Sequence, residues 1–134
     1  MDFITKQLKN VTIAGHGQVG KTTFAEELLY VAGVITKPET EESGKTVSDY
    51  TAEEIDRHIS IYASRSHLVW KDKKINIWDA PGSSDFVGEV ISAFRSSEMA
   101  LMLLDGRSGV QIETIKLWRD LDRRNKPRIA FINR

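Results

Sequence analysis

Short apolar runs alternate with segments of helical period along this chain. Residues 11–14, 75–78, 99–104 and 128–132 are mostly apolar, the pattern of strands buried on both faces of a parallel sheet. Between them the period lengthens. Phe24, Leu28, Val31 and Ala32 fall on one helical face before Gly33 offers a stop, and Phe86, Val90, Ala93 and Phe94 do the same in a second segment. A third helix is predicted after Gly109, with the stripe Ile112, Ile115, Trp118 and Leu121, ended by Lys126 and Pro127. Residues 67–70 and 75–78, joined across Asp72 and Lys73, read as a hairpin that makes one edge strand antiparallel. The order is βα, a long polar stretch, ββα, βα, β. It predicts an α/β domain with a mostly parallel sheet and helices on both faces.

The polar stretch, residues 36–57, is too long to pass as an ordinary connection in a compact domain. Its first part, KPETEESGKT, is charged and poor in apolar residues, whereas DYTAEEIDR offers Asp49 and Thr51 as caps of a short helix. A solvated insertion without structure is the competing expectation. Composition narrows the class. A length of 134 residues suits one domain, and 19 basic against 19 acidic side chains leave no electrostatic footprint for nucleic acid. No apolar run is long enough to cross a bilayer, so no membrane role is expected. The absence of cysteine excludes disulfides and thiolate chemistry, and residues 1–10 lack the pattern of a secretory signal. The cytoplasm is the expected compartment.

The chemistry begins at GHGQVGKT, residues 15–22, which fits G-x-x-x-x-G-K-[ST] between a predicted strand and a predicted helix. Gly15, Gly17 and Gly20 let the backbone curl so that successive N–H groups, with those of His16, Gln18 and Val19, face a phosphate. Lys21 brings a full positive charge to the β- and γ-phosphates. The Thr22 hydroxyl is a hard oxygen ligand for Mg²⁺, and Thr23 continues the helix start. Downstream, Asp79 ends a strand where a carboxylate can reach the Mg²⁺ shell, and Ala80 and Pro81 lead to Gly82, whose N–H can approach a γ-phosphate with no side chain between. Alone, Asp-Ala-Pro-Gly is an ordinary turn; the preceding phosphate loop gives it meaning. Ser60, in RHISI, is the candidate hydroxyl of the other switch. None of the three histidines has metal-site spacing. His16 belongs to the phosphate loop, His67 to a strand surface, and His58 sits two residues before Ser60.

Taken in order, GHGQVGKTTFAEELLY, GKTVSDYTAEEIDRHISI, INIWDAPGSSDFVGEV, LLDGRSGVQIETIKLWR and FINR resemble the G domain of elongation factor G, and TVSDY and DFVGEV are nearer its elongation-factor-G-like paralogues. The resemblance implies a P-loop NTPase of the Ras-like G-domain fold, GTP/GDP with Mg²⁺ bound at Thr22, Ser60 and Asp79, and the ribosome as partner of the intact protein. It implies a switch I region over 33–62 and a switch II region over 79–97, with residues 15–23, 79–83, Asn133 and Arg134 at the nucleotide and Lys21, Ser60, Gly82 and Ser83 in catalysis. The chain departs from the family pattern in four places. Gln18 replaces a common aspartate, His58 stands where the family has glycine, and Ser83 stands where the main family has the water-orienting histidine. The guanine-reading Asn-Lys-x-Asp begins at Asn133 and runs out at Arg134, so the domain is read as C-terminally truncated and its base specificity as implied by resemblance alone. A GTPase stimulated by a large partner, a GTP-dependent switch with little hydrolysis of its own, and a P-loop kinase are the functions in contention. Gln18 and Ser83 favour slow intrinsic hydrolysis; His58 reads first as a solvated switch histidine, with an imidazole lent in place of position 83 as the alternative.

Overall fold

The computed structural model describes residues 3–134. In chain order it contains β1 (Leu8–Ala14), α1 (Lys21–Val31), α2 (Ala52–Arg57), β2 (Ser64–Trp70), β3 (Lys73–Asp79), α3 (Val87–Ser96), β4 (Met99–Asp105), α4 (Ile112–Arg123) and β5 (Arg128–Asn133). The strands form one sheet in the order β2-β3-β1-β4-β5. β1 pairs in parallel with β3 and β4, and β4 with β5, while β2 runs antiparallel to β3. The parallel strands therefore all point their carboxyl ends at one edge of the sheet. β1 lies between β3 and β4, at the switch point of the strand order, where open α/β sheets form their ligand crevice.

Alternation along the strands divides the core in two. Ile13, Ile77 and Leu103 pack with Ala25 and Leu29 on the α1 face. Their neighbours Ala14 and Met102 point to the other side, against Val90, Ala93 and Phe94 of α3 and Leu117 and Leu121 of α4. Each such fully buried aliphatic or aromatic side chain contributes about 1.5–3 kcal/mol. The buried Thr12 hydroxyl adds a polar tie, donating to the Ala93 carbonyl at 2.9 Å and lying 2.8 Å from the Ser97 hydroxyl.

The predicted elements are all present, with corrections in detail. The hairpin turns at Lys71 and Asp72, since Lys73 already pairs with Trp70 and Lys71 takes the left-handed backbone at φ +54°. In α1 the buried residues include Ala25, Glu26 and Leu29, and Val31 is exposed. In α4 the expected stripe is rotated: Thr114, Leu117 and Leu121 are buried, whereas Ile112 and Ile115 are exposed. The polar stretch is ordered around α2. Thr51 caps that helix and forms a reciprocal capping box with Glu54, whereas Asp49, the other expected cap, is turned inward.

Candidate nucleotide site

The loop that leaves β1 reaches α1 through residues with unusual backbones. Gln18 and Gly20 have φ of +61° and +89°, and Gly20 is the left-handed N-cap of α1. At Gly15 a Cβ would lie 2.5 Å from the Leu103 carbonyl oxygen of β4, so the first glycine is required by packing against the sheet. Lys21 is buried and its Nζ donates to the His16 carbonyl at 2.9 Å, bridging the loop. The Val19 side chain is core, while its carbonyl accepts from the Asn133 amide at 2.9 Å. Thr23 is exposed on α1, and Arg134 lies 3.9 Å from the Asp105 carboxylate.

Three segments separated in sequence meet here. Gly17, Gln18, Gly20, Lys21 and Thr22 of the loop, His58, Ile59 and Ser60, and Gly82 and Ser83 line one cavity of about 400 Å³. The Thr22 and Ser60 hydroxyl oxygens are 3.3 Å apart, and Ser60 donates to the Asp49 carboxylate at 2.7 Å. Asp79 is buried at the end of β3, and among the described residues neither of its carboxylate oxygens has a partner at normal hydrogen-bond geometry. Burial pushes its pKa up to about 6, against the pull of the Lys21 charge and of the nearby Ser48 and Thr22 hydroxyls. A buried carboxylate near the Thr22 hydroxyl, which itself lies 3.3 Å from that of Ser60, offers hard oxygens suited to Mg²⁺, which would relieve the buried charge. Residues Thr22, Ser60 and Asp79 thus fit the cation expected at them.

Gly82 sits hard against the phosphate loop. A Cβ there would lie 2.4 Å from Lys21 Nζ and 2.7 Å from both N and Cα of Gly17. The preceding turn is fixed, with Ala80 and Pro81 buried and the Ala80 N–H donating to the Ile13 carbonyl at 3.1 Å. Ser83 caps the following turn, and its hydroxyl accepts from the Asp85 N–H at 3.3 Å. His16 lies beside the cavity, with Nδ1 buried and, among the described residues, without a partner; burial lowers its pKa, and the Lys21 charge adds to that.

Sequence reasoning missed the acidic residues that hold residues 39–62 in place. Glu26 of α1 accepts the backbone N–H groups of Glu39 at 3.1 Å and Val47 at 2.6 Å. Glu54, also buried, accepts those of Ile61 and Tyr62 at 3.1 Å each, on the far side of His58. Asp49 carries a raised pKa, because burial and the Glu54 and Glu26 charges outweigh its hydrogen bonds from Ser60 and Thr46. The Thr-x-x-Glu spacing of Thr51 and Glu54 was the signal available in the sequence.

Known proteins share this sequence and this fold. The model of the elongation factor Tu GTP binding domain family matches residues 6–134. The chain belongs to that family and is a GTP-binding domain. It is 35% identical over 130 residues to the mitochondrial ribosome-releasing factor 2 of Yarrowia lipolytica, covering 97% of this chain and 16% of that protein. It is 37% identical over 127 residues to elongation factor G 2 of Streptomyces coelicolor, covering 95% of this chain and 18% of that one. A crystal structure of a Thermus thermophilus protein superposes with a TM-score of 0.91 at 32% identity, over 94% of this chain and 19% of that one. The elongation factor SelB of Methanococcus maripaludis, solved with the GTP analogue GppNHp, gives 0.67 at 26% identity, over 98% of this chain and 22% of that one. The chain thus spans less than a fifth of the length of the curated relatives named here.

Proposed function

We propose that this chain is the GTP-binding and GTP-hydrolysing domain of an elongation factor G-like translation factor that acts with the ribosome, with Mg²⁺ as its metal. The observation that carries the reading is the convergence of the Thr22 and Ser60 hydroxyls and the buried Asp79 carboxylate beside Lys21. Mg²⁺ held by Thr22, Ser60 and Asp79 would supply the charge that screens the phosphate oxygens from one another. The loop 15–20 presents backbone N–H groups to the phosphates, the start of α1 adds its positive end, and Lys21 exchanges the His16 carbonyl for phosphate oxygen. Residues 33–62 and 79–97 serve as switch I and switch II, because Ser60 and Gly82 both face the place where a terminal phosphate is felt.

The names of the relatives, ribosome-releasing factor and elongation factor, support a ribosomal partner. Among the described residues no helix is long and apolar enough to cross a membrane. The cytoplasm is the compartment that the cysteine-free composition suits. The family match leaves the kinase reading without support. A switch with slow hydrolysis of its own stays in contention on one observation: the Ser83 hydroxyl is committed to its own turn. The test is calorimetric titration of GDP and a non-hydrolysable GTP analogue, with and without Mg²⁺, into the intact protein and its Lys21→Ala and Thr22→Ala variants. Binding should weaken at least tenfold in Lys21→Ala, and the gain from Mg²⁺ should vanish in Thr22→Ala. Equal affinity for ATP and GTP would sink the reading.

A further inference from the structure

The cavity is lined by the loop, Ser60 and Ser83, and His58 is the one histidine among its described lining residues. The Ser83 hydroxyl accepts from the Asp85 N–H, which commits one of its lone pairs to its own turn, and serine has a shorter reach than an imidazole. His16 contributes its backbone carbonyl to Lys21 and is not part of the cavity wall. His58 ends α2 with φ +51°, a left-handed backbone that His tolerates better than most side chains but that a glycine would adopt freely. Its N–H donates to the Glu54 carbonyl, and the Glu54 carboxylate takes the N–H groups of Ile61 and Tyr62. The histidine is therefore gripped on both sides by one buried residue and held where a side chain reaches the cavity. Non-glycine residues kept in this backbone region cluster where the side chain has work to do.

Building on the GTPase reading, we infer that His58, presented from switch I, is the catalytic residue that orients the attacking water, in place of a side chain at position 83. A ring nitrogen accepts a hydrogen bond from the water and fixes its direction. The water oxygen bonds to the γ-phosphorus as the bond from that phosphorus to the β–γ bridging oxygen breaks. The bridging oxygen keeps the electron pair, giving GDP, and the water protons pass to phosphate and solvent. Orientation alone governs the rate of such a step while scarcely changing ground-state binding.

His58→Gly is the decisive variant, because glycine suits φ +51° and removes the ring without straining the loop. In the intact protein with ribosomes present, single-turnover GTP hydrolysis should fall about 100-fold. GDP affinity should stay within about twofold, while affinity for GDP with fluoroaluminate, which mimics the transferring phosphoryl group, should fall about tenfold or more. Adding Ser83→His to His58→Gly should restore most of the rate. His67→Ala, which removes an exposed imidazole from β2 away from the cavity, should hydrolyse within about threefold of the parent. Hydrolysis by His58→Gly at the parent rate, an equal loss of GDP affinity, or a 100-fold loss in His67→Ala as well would overturn the assignment. A parent protein that fails to bind GTP would overturn the GTPase reading itself, before any variant is compared.

Discussion

The side-chain amide of Asn133, at the end of β5, donates to the carbonyl of Val19 in the phosphate loop at 2.9 Å. A residue expected to read guanine is thus also a strut, and it adds to the demand for glycine that φ +89° already makes at Gly20: a Cβ there would lie 2.8 Å from the Asn133 amide nitrogen. Losing the bond leaves the Val19 carbonyl short of its donor, a cost of about 1–3 kcal/mol. Asn133→Ala should therefore lower the melting temperature of the nucleotide-free chain by about 3–8 °C, a loss that differential scanning calorimetry would read. An unchanged melting temperature with weaker GTP binding would leave base reading as its only role.

Asp79→Asn should divide stability from function. Among the described residues the buried carboxylate has no partner at normal hydrogen-bond geometry, and burial pushes its pKa up to about 6, so its ionised form weakens the metal-free fold by about 1–3 kcal/mol. An amide of the same shape carries no charge to desolvate. In EDTA the variant should melt several degrees above the parent, and with GTP and Mg²⁺ the order should reverse, since the amide cannot serve the cation. Thermal melts under both conditions check it; a variant less stable in EDTA would mean that the carboxylate is supporting the metal-free fold.

Glu54 should make the order of switch I depend on pH. Burial raises its pKa, but hydrogen bonds from Thr51, Tyr62 and Ile61 outweigh that, and the net shift is below the ordinary 4.5. A carboxyl whose folded pKa is depressed stabilises the fold above the unfolded value, and that stability is lost as pH falls through the lower folded one. Hydrogen-exchange protection of the Ile61 and Tyr62 amides should accordingly hold at pH 6 and fall below about pH 4.5. Glu54→Gln should cost about 1–2 kcal/mol, the difference between a charged and a neutral acceptor, and should remove the pH dependence. Protection that is equal in Glu54→Gln and parent across this range would count against the clamp.

These carboxylates also mark where the sequence stops being legible. The strands could be read because β1, β3 and β4 carry apolar side chains on both faces, and the phosphate loop because its chemistry lies in eight consecutive residues. The stripe of α4 could not. Hydrophobicity selects Ile112 and Ile115, but the helix turns Thr114 inward, where its hydroxyl is buried without a partner among the described residues, and leaves both isoleucines exposed. Which of two adjacent stripes is buried depends on the sheet beneath, and that is long-range information. The same holds for Glu26 and Asp49, whose partners lie 13 and 21 residues away for the first and 11 for the second. An acidic side chain reads as solvated until the fold brings a distant donor to it, backbone N–H groups for Glu26 and the Ser60 hydroxyl for Asp49.

Gly82 gives the sharpest test of whether the site senses a terminal phosphate. A Cβ at this position collides with two kinds of neighbour, the tip of Lys21 at 2.4 Å and the Gly17 backbone at 2.7 Å. Lysine can swing aside, but the loop backbone cannot, since Gly15 packs on β4 and the Val19 carbonyl is held by Asn133. The strain of Gly82→Ala must therefore fall on switch II. Ala80 is tied to Ile13 on one side and Ser83 to Asp85 on the other, which concentrates the displacement at residues 82 and 83. An N–H meant for a γ-phosphate is moved away from it, while the groups that hold the α- and β-phosphates keep their places. GDP affinity should change by less than about threefold, and the preference for a non-hydrolysable GTP analogue over GDP should fall about tenfold, the loss of one charge-assisted hydrogen bond. Fluorescent-nucleotide titrations of the intact protein would give both affinities. If GDP and the analogue weaken together, the alanine has disturbed Lys21 and the phosphate loop, and Gly82 is then a packing residue rather than the sensor.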